Sequence, residues 1–101
     1  MGRDMDIRTS ATRDGRNKDG SPSPWQFHQE FTEFVPPVPK EYSKTFDRAE
    51  LIALMQSANE ELTAESTEYD RAQHLRMSIR FYGLLLYHMN DDADFVSYDY
   101  R

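Results

Sequence analysis

Residues 67–90, which read TEYDRAQHLRMSIRFYGLLLYHMN, contain the hydrophobic centre of the chain. The apolar residues of this stretch recur at intervals of three and four, which is the spacing of one face of an α-helix. A second apolar stripe follows the same stretch, so residues 79–89 are apolar on most sides. A helix that is apolar all round is buried all round, and we expect this one at the centre of the fold. The seam of the first stripe, which would form the core or a dimer contact, comprises Ala72, Leu75, Ile79, Tyr82, Leu86 and Met89.

The same stretch also permits a strand. Gly83 weakens a helix by about 1 kcal/mol relative to alanine, and aromatic residues favour strands. On this alternative, residues 80–100 form a C-terminal β-hairpin and the protein is α+β. The unbroken periodicity from Ala72 and the three consecutive leucines at 84–86 favour the helix. The sequence therefore predicts an all-α protein, with the α+β arrangement as its alternative.

A second helix is predicted over residues 47–62. Asp47 and Glu50 have the spacing of a capping box, in which the first side chain accepts a hydrogen bond at the start of the helix. The polar residues 63–66 permit either a turn or one continuous helix to residue 90. We expect the turn, because a small domain must fold back on itself to bury a core. The two helices would then form a helical hairpin.

A third, shorter helix is predicted over residues 24–34. Ser23 and Pro24 suit the cap and the first position of a helix. Three phenylalanines then recur on one helical face: Phe27, Phe31 and Phe34. This helix would extend the hairpin into a three-helix domain.

These elements divide the chain into three parts. Residues 23–90 would form the small helical domain. Residues 1–22 are polar and bury too little apolar surface to offset their ordering entropy, so we expect a disordered N-terminal tail. Residues 91–101 would form a short acidic and aromatic tail.

Composition excludes several classes of protein. The 101 residues include 12 Lys and Arg against 18 Asp and Glu, giving a net charge of −6, and there is no cysteine. Disulfide scaffolds and zinc–thiolate sites are therefore excluded. No apolar run approaches the roughly 18 residues of a membrane span, and the acidic balance disfavours direct binding to nucleic acid. We expect an intracellular, cytoplasmic domain with no membrane or nucleic-acid partner.

The sequence also offers little for catalysis. Asp70 and His74 share a helical face, but His88 would lie about 21 Å further along the same helix, too far to join them. The serines lack the glycine context of a nucleophile elbow. We therefore expect a protein that is not an enzyme, with no catalytic residue, metal site or cofactor.

The aromatic residues favour a role in binding another protein. Trp and Tyr are common anchors of protein interfaces, and several aromatic residues of this chain lie in segments too short to fold alone. The predicted function is a non-catalytic interaction module, such as an adaptor, inhibitor or regulatory subunit, able to act as a homodimer. The predicted partner-binding residues are Trp25, Phe27, Phe31, Phe34, Phe95, Tyr98 and Tyr100.

Acidity suggests a second hypothesis. A row of carboxylates can imitate a phosphate backbone and occupy the groove of a protein that binds DNA or RNA. The candidate residues for this acidic face are Glu60, Glu61, Asp91 and Asp92. Such a composition is also typical of small viral accessory proteins.

Overall fold

A four-stranded antiparallel sheet and two helices form the fold. The structure is a computed structural model that describes residues 3–31, 43–64, 67–89 and 92–100. The elements in chain order are β1 (Arg3–Ser10), β2 (Phe27–Phe31), β3 (Ser43–Asp47), α1 (Arg48–Leu62), α2 (Tyr69–His88) and β4 (Phe95–Tyr100). The strand order is β2-β1-β4-β3, and α1 and α2 pack against each other and on one face of the sheet.

The all-α prediction, whether as a helical hairpin or as a three-helix domain, is therefore wrong. The α+β class of the alternative is correct, but its pairing is not, since residues 80–88 belong to α2 and β4 pairs with β1 and β3. The segment predicted as helix 24–34 contains strand β2, and the segment predicted as a disordered tail contains β1.

Strand β1 forms because its side chains alternate between apolar and polar. Met5 and Ile7 are fully buried and face the helices, whereas Asp6 and Arg8, which alternate with them, belong to the opposite face. This period of two is typical of a strand with one buried face. The low average hydrophobicity of residues 1–22 conceals the alternation, because the buried side chains are so few.

The two helices begin and end close to their predicted bounds. The Asp47 side chain accepts a hydrogen bond from the Glu50 amide at 2.7 Å, which is the predicted cap of α1. In α2, the Arg71 guanidinium donates to both carboxylate oxygens of Glu61 in the last turn of α1, at 2.7 and 2.8 Å. This contact joins the two helices beside their connection, so α1 and α2 are separate helices and not one.

The core lies between the helices and the sheet. Tyr98 of β4 is 1% exposed, and its ring lies edge-on to Phe81 at 5.2 Å and stacks on Phe46 at 6.2 Å. It therefore joins α2 to two strands. The buried cluster consists of Met5, Ile7, Phe46, Leu51, Phe81, Leu85, Met89, Val96 and Tyr98.

The predicted seam of α2 is displaced from the face that the core uses. Leu75 and Met89 are buried, but the helix turns Phe81 and Leu85 into the core. The other members of the seam are half-buried: Ala72, Ile79, Tyr82 and Leu86. The displacement arises because residues 79–89 carry apolar side chains on two stripes, and periodicity alone does not say which stripe meets the sheet.

Replacing Tyr98 with alanine tests its place in the core. We expect Tyr98→Ala to lower the free energy of unfolding by about 3–5 kcal/mol, the usual cost of truncating a buried aromatic side chain. Urea unfolding followed by circular dichroism measures the change. Tyr87→Ala is the matched control, since Tyr87 is 82% exposed and its loss should change stability by less than about 0.5 kcal/mol. Equal effects would contradict the assignment of Tyr98 to the core.

Replacing Asp47 tests the cap of α1. Asp47→Ala should lower the free energy of unfolding by about 0.5–2 kcal/mol, whereas Asp47→Asn should retain most of the stability because asparagine also caps well. Both variants lose the 3.4 Å ion pair with Arg13, so the difference between them isolates the cap. An asparagine variant as unstable as the alanine variant would argue against capping.

Candidate functional site on the open face of the sheet

The face of the sheet opposite the helices carries a row of polar side chains. The register pairs Arg8 with Ser97, and Ser97 with Thr45, so these three residues lie side by side across β1, β4 and β3. The hydroxyl oxygens of Thr45 and Ser97 are 2.7 Å apart. Alternation along each strand produces this row as directly as it produces the core on the other face.

The loop between β1 and β2 is fastened to this part of the sheet and carries Trp25. The Ser23 hydroxyl donates to the Thr9 carbonyl at 2.5 Å, and the Gln26 amide donates to the Ile7 carbonyl at 3.0 Å. Trp25 lies between these two attachments, with its ring centroid 4.4 Å from Cζ of Arg8. The indole therefore stacks on the guanidinium at a distance typical of a cation–π pair.

Gly15 lies directly against the Arg8 guanidinium. It is buried and has a φ of +82°, a conformation that favours glycine. A Cβ atom at this position would overlap the Arg8 guanidinium. The Nε atom of Arg8 is buried and, among the described residues, has no hydrogen-bond acceptor. The loop thus confines the guanidinium by packing more than by hydrogen bonding.

A pocket of about 250 Å³ lies beside the Arg8–Trp25 pair. Its lining combines guanidinium donors, hydroxyl groups and an indole face, which suit the binding of a polar ligand. The residues that line it are Arg8, Trp25, Ser43, Lys44, Thr45, Ser97 and Tyr98.

A second cation–aromatic pair involves β4 and the same loop. Cζ of Arg13 lies 4.9 Å from the ring centroid of Phe95, and the same guanidinium bonds Glu50 at 2.6 Å. The hydrogen bond that Arg13 donates to the Glu50 carboxylate raises the pKa of Arg13 above its ordinary value. Because Arg13 already has acidic partners, Arg8 is the better candidate to receive a ligand.

A larger depression of about 660 Å³ lies on the other side of the loop. Its described lining contains the charged residues Lys18, Asp19 and Asp92 and no aromatic ring. Volume alone would favour this depression, but binding energy concentrates where an aromatic group and a confined charge lie together. We therefore place the candidate site at the Arg8–Trp25 pocket.

The structure places the predicted aromatic anchors in different environments. Trp25 is 42% exposed on the open face, and Phe95 is half-buried against Arg13. Tyr98 belongs to the core, so its ring is not accessible to a partner, and that assignment is corrected. The side chains of Phe27, Phe31 and Tyr100, and the whole of Phe34, lie outside the described part of the structure.

The predicted acidic face is only partly described. Glu60 and Asp92 are exposed, but Asp91 lies outside the described residues. Glu61 is bonded to Arg71, whose hydrogen bonds lower the pKa of Glu61 below its ordinary value. Arg71 therefore offsets the charge of Glu61, one of the four residues of the predicted acidic face.

Sequence reasoning missed Arg8 and the two hydroxyl-bearing residues beside it, Ser97 and Thr45. Arg8 lies in the segment predicted as disordered, and its alternation with Met5, Ile7 and Thr9 is the signal that could have identified it. The pairing with Trp25 depends on the course of the loop and leaves no local pattern in the sequence.

Comparisons with known proteins identify no relative: no family model matches the sequence, and neither a curated protein nor a solved structure is detectably similar to it. Among the described residues, no three His, Asp or Glu side chains come together as a metal site would need. Neither described helix has the length and apolar character needed to cross a membrane.

Substituting Gly15 tests how Arg8 is confined. Gly15→Ala should cost about 1–2 kcal/mol of stability from its positive φ, and its methyl group should also displace Arg8 from Trp25. Gly20→Ala is the matched control, because Gly20 has a φ of +87° and open space where its Cβ would lie. Trp25 is the single tryptophan, so its fluorescence reports the displacement. We expect a changed spectrum for Gly15→Ala alone, and identical spectra for both variants would contradict the packing.

Proposed function

We propose that the chain is a non-catalytic protein-interaction module, an adaptor or regulatory subunit, that binds a segment of a partner protein on the open face of its sheet. The observation that carries this proposal is the exposed Trp25 ring, stacked on Arg8 beside a pocket of about 250 Å³. Tryptophan and arginine are the residue types that most often dominate the energy of protein interfaces. Here the two are in contact on the face of the sheet that also carries Thr45 and Ser97.

The support of Trp25 by its loop favours binding. Ser23 and Gln26 hold the segment on either side of the ring through hydrogen bonds to the backbone of β1. A side chain that is already ordered loses little entropy when a partner covers it. The site therefore resembles a preorganised anchor more than a flexible docking peptide.

The charges near the pocket suggest which forces dominate the binding. Asp6 and Asp99 lie opposite each other, two residues along the strands from Arg8 and Ser97. Because carboxylates and a guanidinium lie on the same face, their electrostatic potentials partly cancel. We therefore expect no strong net attraction for either an acidic or a basic ligand. Stacking on Trp25 and hydrogen bonds to Arg8 and to the half-buried Thr45 should supply most of the affinity, since Ser97 is only 3% exposed. Binding should then depend only weakly on salt.

The proposal contains no chemical step. Among the described residues, the pocket lining includes no His, Asp or Glu side chain, the residue types that most often serve as general acids or bases. Guanidinium, hydroxyl and indole groups can bind and orient a ligand, and this is the role assigned to them here.

A random peptide library displayed on phage tests the proposal without knowledge of the natural partner. Peptides selected on the native chain should bind it and should lose about thirtyfold in affinity or more with Trp25→Ala, the effect of removing a residue worth about 2 kcal/mol. Arg8→Lys should also weaken them, because lysine lacks the planar, multidentate guanidinium. Fluorescence anisotropy of labelled peptides measures both effects.

Ile52→Ala is the matched control for Trp25→Ala. Ile52 is 40% exposed, almost the same as Trp25, but it lies on α1 in the helical layer. Its substitution should leave peptide affinity unchanged. Peptides that respond equally to both substitutions, or a library that yields no peptide dependent on Trp25, would refute the proposed site. Affinity that collapses at high salt would contradict its dominance by stacking.

A further inference from the structure

The outward face of α2 carries exposed aromatic and cationic side chains. Tyr69 is 72% exposed and Tyr87 is 82% exposed, the two highest values among the large hydrophobic residues described. Arg76 and Arg80 lie between them and are also exposed. This face is turned away from Phe81 and Leu85, which pack toward the sheet.

The exposed residues follow a regular repeat. The intervals from Tyr69 to Tyr87 are four, three, four, three and four residues, the spacing of a heptad seam along which a second helix can pack. The seam extends over about 27 Å at 1.5 Å per residue. Its exposed members are Tyr69, Gln73, Arg76, Arg80 and Tyr87, and the remaining position is Gly83, which is half-buried beside Met55 of α1.

The side chains along this seam are partly ordered by one another. The Gln73 amide donates to the Tyr69 hydroxyl at 2.9 Å, and Arg76 donates to the Gln73 carbonyl oxygen at 3.1 Å. These contacts hold the first tyrosine and the first arginine along one line. Ordering before binding lowers the entropy that a partner must overcome.

The two arginines of the seam differ from three other arginines of the fold. Arg13, Arg16 and Arg71 each form an ion pair with an Asp or Glu side chain. Within the described residues, neither Arg76 nor Arg80 forms one. In a chain of net charge −6, two adjacent arginines without a carboxylate partner are a local excess of positive charge.

We propose that this face, which we call the Tyr–Arg seam, docks an acidic helix of a partner protein. Two carboxylates spaced four residues apart on that helix would meet Arg76 and Arg80, which can each bind a carboxylate through two parallel hydrogen bonds. Apolar side chains one heptad before and after would cover Tyr69 and Tyr87. The heptad spacing of the seam is the reason for choosing a helix as the occupant.

A second copy of the chain fits this face poorly. In a two-fold pair of α2 helices crossing near their centres, Arg76 of one copy would face Arg80 of the other. Four guanidinium groups would then meet without a carboxylate between them. Charge complementarity therefore favours an acidic partner over a homodimer through this seam.

The seam and the Arg8–Trp25 pocket lie on opposite layers of the fold, so this inference does not rest on the proposed function. If both sites bind, the chain can hold two partners at once.

Reversing the charges of the seam and of a synthetic helical peptide in turn tests the inference on the full chain. The probe is a helical peptide of about three heptads with leucines over the tyrosine positions and two glutamates four residues apart. We expect it to bind the native chain and to lose about tenfold or more in affinity with Arg76→Glu plus Arg80→Glu. The same double variant should gain affinity for a matched peptide in which the two glutamates are lysines.

The control carries the same change in net charge elsewhere. Lys18→Glu plus Arg48→Glu alters two exposed basic residues outside the seam and should leave the binding of the acidic peptide within about twofold, since exposed distant charges are largely screened. Circular dichroism confirms that each variant is folded before binding is measured. Equal losses in both double variants, or no binding of the acidic peptide, would overturn the proposal.

Two further outcomes would overturn the choice of occupant. Light scattering of the chain alone could show a dimer that Tyr69→Ala plus Tyr87→Ala dissociates, which would assign the seam to a second copy. A duplex oligonucleotide could bind as tightly as the acidic peptide and depend on the same arginines, which would assign it to nucleic acid. A monomer that binds the acidic peptide and not the duplex supports the inference.

Discussion

The pairing of β1 with β4 is the interaction on which the rest of the structure depends. These two strands form the centre of the sheet, and each supports an outer strand on its other edge. Their inward side chains, among them Ile7 and Tyr98, provide the surface that α2 covers. Their outward side chains, Arg8 and Ser97, form the middle of the polar row. One register therefore determines both the core and the candidate site.

Local signals predicted the helices well. The capping pattern at Asp47 depends only on residues within one turn, and the apolar spacing of α2 persists over many turns. The strands were harder because their signals are short and ambiguous. Phe27 and Phe31 are four residues apart, which agrees equally with one turn of helix and with two alternations of a strand. Only the pairing of β2 with β1, a contact distant in sequence, decides between them.

The candidate site could be predicted only in part. Trp25 was expected to bind a partner because of its residue type, and it is exposed as that role requires. Its contact with Arg8 could not be inferred, since that contact needs the strand register, the course of the loop and the glycine at position 15 together. Such a site depends on tertiary structure, whereas sequence periodicity reports only on which side of its own element a residue lies.

The register of the central strands also constrains how the chain acquires its fold. Met5 pairs with Tyr100, so the middle of the sheet joins residues from nearly opposite ends of the sequence. Closing so long a loop is slow compared with forming the contacts between α1 and α2, which are close in sequence. On the ribosome, both helices are synthesised before β4. Their apolar faces therefore remain uncovered until β4 joins the sheet. During that interval, this uncovered apolar surface on an incompletely folded chain promotes aggregation.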